Sequence, residues 1–128
     1  MSYYFSKTVE ASFSDAVARA KTALATEGFG VLTEIDVAAT MKAKIEVEMP
    51  AYLILGACNP KLAHEALQLE DKIGLMLPCN VIVQDKGRGY SEIAAIDPVA
   101  SMLAIENPDL KRAAEVVRSK LKAAIERL

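Results

Sequence analysis

Apolar positions change their spacing several times along this chain, and each change marks an element. From Tyr3 to Val9 aromatic and β-branched residues are dense, which predicts a strand. The interval then becomes helical: Phe13, Ala16, Val17, Ala20 and Leu24 fall on one face. Ser12 or Ser14 offers an oxygen to cap the free amides of that helix, and Gly28 stands just past its end. Phe29 to Ile35 predicts a second strand. Val37 to Val47 predicts a short helix, with a continued strand through KIEVEM as the alternative because Ile45 and Val47 alternate with charges; Pro50 then breaks the chain.

Tyr52 to Ala57 is apolar at nearly every position, the pattern of a central strand covered on both faces. Asn59-Pro60 opens a helix to about Leu69. Asn caps free amides, and Pro suits the first helical position because the N–H it lacks has no helical partner there. Cys79 to Gln84 is a fourth strand, Lys86 to Gly89 (KGRG) a hairpin turn, and Tyr90 to Ile96 a fifth strand. Asp97-Pro98 starts a short helical segment, PVASMLAI. Asn107-Pro108 repeats the cap and proline before a last helix to Leu128, with Leu110, Ala113, Ala114, Val117, Leu121, Ala124, Ile125 and Leu128 along one stripe. These elements predict an α+β fold: about five strands in a mostly antiparallel sheet, helices on one face, and a long C-terminal helix.

Length and composition narrow this further. The 128 residues are expected to form a single domain, and 52% hydrophobic content suits a buried core. Fifteen basic and seventeen acidic residues leave a net charge of -2, without the clustered cations that nucleic acid requires. No run approaches the length of a membrane span, and the first residues lack the pattern of a secretory signal. The expected location is the cytoplasm, where both thiols stay reduced.

The chemistry-bearing residues gather in ILGACNPKLAHEAL (Ile54 to Leu67) and LMLPCNVIV, which share a Cys-Asn pair at Cys58-Asn59 and Cys79-Asn80. Cys58 precedes a helix N-terminus, where partial positive charge lowers a thiol pKa and favours anions. Strand direction decides whether the thiols meet: parallel pairing of strands three and four puts them at opposite ends, while antiparallel pairing can bring them to one end. His64, the one histidine, falls on the helix side shared by Lys61, Glu65 and Gln68, opposite Leu62, Ala63, Ala66, Leu67 and Leu69. A solvated histidine is the commoner role for that face, and a buried free cysteine is more often a small hydrophobe than a nucleophile. Cys58, His64 and Cys79 are the catalytic candidates; Cys58, Asn59, His64, Cys79 and Asn80 are the ligand-binding candidates. Asn59 is explained by capping. Asn80, an amide at the start of a buried strand, is expected to hydrogen-bond the loop around Pro60. Two thiols twenty-one positions apart and one imidazole do not make a zinc pattern, so neither a metal nor a cofactor is expected. Gly87 and Gly89 lie between two strands, which fits a turn and not a phosphate loop.

GACNPKLAHEAL and GLMLPCNVIV, in that order and spacing, resemble the Domain of Unknown Function 302 family, most strongly between Ile35 and Pro98. Gly56, Cys58, Asn59, Pro60, His64, Pro78, Cys79 and Asn80 are the matching positions. The resemblance implies a compact α+β domain laid out like half of a TATA-binding protein, often a homodimer, and supplies no catalytic role; the likeness of layout carries no DNA-binding inference. A small-ligand-binding domain is the reading the residues favour, with a thiol-dependent enzyme or redox protein using Cys58, or a structural dimer module, as its rivals.

Overall fold

The structure is a computed structural model and describes residues 2–128. Five strands form one sheet in the order β1-β5-β4-β3-β2. They are β1 (Tyr4–Glu10), β2 (Gly30–Asp36), β3 (Tyr52–Cys58), β4 (Cys79–Gly87) and β5 (Tyr90–Ile96). Every neighbouring pair is antiparallel, and the strand order places the apolar third and fourth strands inside, as their composition requires. The helices are α1 (Phe13–Thr26), α2 (Val37–Ile45), α3 (Pro60–Leu69), the single turn α4 (Pro98–Ser101) and the long α5 (Pro108–Glu126).

Alternation along the inner strands decides which face is covered. Leu55 and Ala57 on β3, Cys79, Val81 and Val83 on β4, and Ile93 and Ala95 on β5 are all buried. They meet Ala16, Ala20 and Leu24 of α1 and Leu121, Ala124 and Ile125 of α5 in one core. Each fully buried Leu, Ile or Val side chain stabilises the fold by roughly 1.5–3 kcal/mol relative to exposure. Polar groups at the margins of this core are satisfied. Ser91 is fully buried and donates to the Ala11 carbonyl at 3.1 Å. The Asp97 carboxylate accepts from Val99 N and, at 3.0 Å, from Arg118 Nε, while the Arg118 guanidinium lies over the Phe5 ring.

The observed elements sharpen several boundaries. Ser12, not Ser14, caps α1, its hydroxyl accepting from Asp15 N. The strand alternative through KIEVEM does not form: α2 closes on Glu46 in a left-handed conformation (φ 57°), with Ile45 62% and Val47 44% exposed. With no sheet partner to cover them, their alternation has nothing to bury. β4 runs past Gln84 through a bulge to Gly87, and Arg88 and Gly89 alone make the turn. The segment after Asp97 is helical only to Ser101. A 3-10 turn at Ile73–Met76, which buries Ile73 completely, has no counterpart in the hydrophobic pattern because one apolar anchor makes no period.

Candidate functional site

β3 leads into α3 through Asn59, and local chemistry fixes that corner. Asn59 has extended backbone; its side-chain oxygen accepts from Leu62 N at 3.3 Å and its carbonyl from Ala63 N at 2.9 Å. Its amide nitrogen lies over Gly28, where a Cβ would stand only 2.9 Å away and φ is +85°. The end of α1 and the start of α3 are therefore interlocked by one amide and one missing side chain.

Antiparallel pairing resolves the question left by strand direction. Ala57 stands opposite Cys79, so Cys58 is one residue beyond that pair and both thiol-bearing segments share a rim of the sheet. Both cysteines are free. They border an open-mouthed cavity of about 320 Å³ lined by the ends of β3 and β4, α3 and the first half of α5. Leu62, Ala63 and Ala66 of α3 and Ala113 and Val117 of α5 overhang it. Its polar side chains are Cys58, Asn59 and Cys79; no charged residue lines it. Burial pushes the Cys79 thiol up to about 11, and the neighbouring Cys58 adds to the shift.

Two of the candidates lie elsewhere. His64 is exposed on the outer face of α3, its ring nitrogen 3.4 Å from the Gln68 amide, and takes no part in the cavity wall. Asn80 is exposed on the open face of the sheet, opposite Gly56, among Tyr52, Ile82 and Gln84. The expected bond from Asn80 to the Pro60 loop is thus corrected. Period two turns Asn80 away from the helices when Cys79 turns toward them. Gly56 has no room for a side chain, since a Cβ would meet Thr33 Oγ1 at 2.2 Å and Pro78 Cγ at 2.8 Å. Leu67 and Leu69, assigned to the apolar side of α3, are 40% and 38% exposed, because that helix packs on α5 and the 3-10 turn and covers a void.

The pattern of the sequence did not disclose Phe29, Leu77 or Met102 as cavity walls. Each comes from a different connection, and only long-range packing assembles them. The nearest signal was the surplus of small residues on the α3 and α5 stripes, where Ala63, Ala66, Ala113 and Ala114 leave space between two helices. Among the described residues no three His, Cys, Asp or Glu side chains are grouped as metal ligands, and no helix is long and apolar enough to cross a membrane.

Fold and site together define an antiparallel α+β protein with an apolar chamber at one sheet rim and two thiols in its wall. The family model described as "Domain of unknown function DUF302" matches residues 5–128, and the chain belongs to that family. The match extends beyond both ends of the Ile35–Pro98 stretch. The structure is similar to the crystal structure of an uncharacterized conserved DUF302 protein from Bacillus stearothermophilus. The TM-score is 0.91 at 26% identity, over 99% of this chain and 98% of that one. Comparison with curated proteins gives no match.

Proposed function

We propose that the protein binds a small molecule in the chamber between β3, β4, α3 and α5, with Cys58, Asn59 and Cys79 as its polar contacts. The observation that carries this reading is the chamber itself, whose 320 Å³ lies within the roughly 300–1,000 Å³ of small-molecule sites. Ligand-observed NMR with 1-naphthol as probe tests the reading. Binding is expected to the parent protein, to weaken in Cys58→Ser at a nearly unchanged melting temperature, and to vanish in Ala113→Phe, where the new ring fills the space. His64→Ala and Asn80→Ala, both outside the chamber, are expected to bind as the parent does. Equal binding by parent and Ala113→Phe rules the chamber out.

A thiol-dependent reaction at Cys58 is a second reading, supported by the pairing of the two cysteines at one rim. It requires Cys58 to be alkylated faster at neutral pH than a free thiol of pKa about 8.5, and an ordinary rate removes it. Self-association is a separate expectation. Its support is the open sheet face, where the exposed Tyr3 and Tyr4 border a hollow of about 400 Å³ with Tyr52 and Ile82. Sedimentation of a strictly monomeric species would count against it.

A further inference from the structure

The chamber that this proposal rests on also carries information about charge. We infer that its ligand is an uncharged, largely hydrocarbon molecule of on the order of ten non-hydrogen atoms. The size follows from 320 Å³ at roughly 30 Å³ per water-sized atom. The charge follows from what each neighbouring polar group already does.

An anion would need a cation or a row of free amides. The α3 N-terminus is the natural place to look, yet Pro60 has no N–H, Leu62 N is held by the Asn59 side chain and Ala63 N by the Asn59 carbonyl, which leaves the single amide of Lys61 and not a row. Asn59's own amide nitrogen is turned onto Gly28. Lys61 and His64 are exposed and absent from the wall. Lys111 is exposed and borders a separate small hollow that shares Met102, Leu110 and Ala114 with the chamber.

A cation would need a carboxylate. Asp97, next to the wall residue Pro98, is paired with Arg118 and Val99 N. Cys79, its thiol pushed up to about 11, is neutral at physiological pH and provides no thiolate. What remains for a ligand's polar atom is the uncharged Asn59 amide and the thiols, which are weak donors and acceptors. An ion entering this wall loses its hydration without gaining a partner, a penalty that an alcohol of the same length largely escapes.

Calorimetric titration with 1-nonanol, nonanoate and nonylammonium at pH 7.5 separates these cases, since the three share a chain and differ in charge. Nonanol is expected to bind at least about tenfold more tightly than either ion. Binding is expected to be lost in Ala113→Phe and in Ala63→Phe, each checked by its melting curve so that at least one folded, filled variant is compared. Either ion within about threefold of nonanol, with binding still blocked by the filled variants, overturns the charge inference and leaves the chamber as a binding site. Failure of all three to bind, or nonanol binding that survives both substitutions, removes the site and the inference together.

Discussion

Cys79 shows how a single position acquires its properties from the strand it sits on. Its place in the row with Val81 and Val83 buries the thiol, and burial disfavours the thiolate. The unfolded chain releases that proton near the ordinary value of 9.0, the folded chain only near 11, so between them the folded state binds more protons. The stabilisation is intact below pH 9 and is lost as pH rises through 11, a loss on the order of 2–3 kcal/mol at most. Denaturant unfolding of parent and Cys79→Ala at pH 8 and pH 10.5 checks this: the parent should lose more stability across that interval than the variant. Equal losses would mean that Cys79 does not hold its proton. Asn80, one position on, has the opposite fate for the same reason, because period two sends it to the open face.

At the level of elements, much was legible. Proline-led helices with Asn caps at Asn59 and Asn107 appear where the residues announced them, since capping is a local matter of one side chain and the next few amides. Asn107 does more than its sequence shows: its side-chain oxygen holds Asp109 N and Leu110 N while its amide donates to the Leu69 carbonyl at 2.8 Å, tying the end of α3 to the start of α5. The α2 alternative and the extent of α4 were less legible because each turned on burial by distant residues. The two Cys-Asn segments were visible as a pair, whereas their separation into a chamber side and an open side needed the register. The stripe of α5 also read as uniform, yet its last turns enter the core while Ala113 and Val117 face the void. Leu121→Ala should therefore cost about 3 kcal/mol, as for a fully buried leucine. Leu62→Ala, on the chamber wall, should cost about 1 kcal/mol, since it deletes contacts on one side only. Urea midpoints of the two variants give the comparison, and equal losses would mean that the chamber is closed in solution.

The whole molecule is held together unevenly. The residues that follow α5 are fastened to the N-terminal part of the chain: Arg127 donates through Nε and Nη2 to Glu27 at the end of α1, and Lys7 of β1 donates to the Leu128 carbonyl. Arg127 and Lys7 are exposed, so each pair contributes little alone; the apolar contacts beneath them do the holding. Around the chamber the arrangement is different, with α3 resting on α5 and the 3-10 turn above an unfilled space.

One helix thus has a clamped end and a bridging end, which gives α5 two rates of amide exchange. Deuterium uptake should be slowest near Leu121–Ile125, in the main core, and faster near Ala113–Val117, which borders the chamber beyond Leu110 and its contacts with Ala66 and Ile73. An occupant of the chamber should slow the second stretch and leave the first unchanged. Protection that rises evenly along all nineteen residues of the helix would show that α5 moves as one rigid rod.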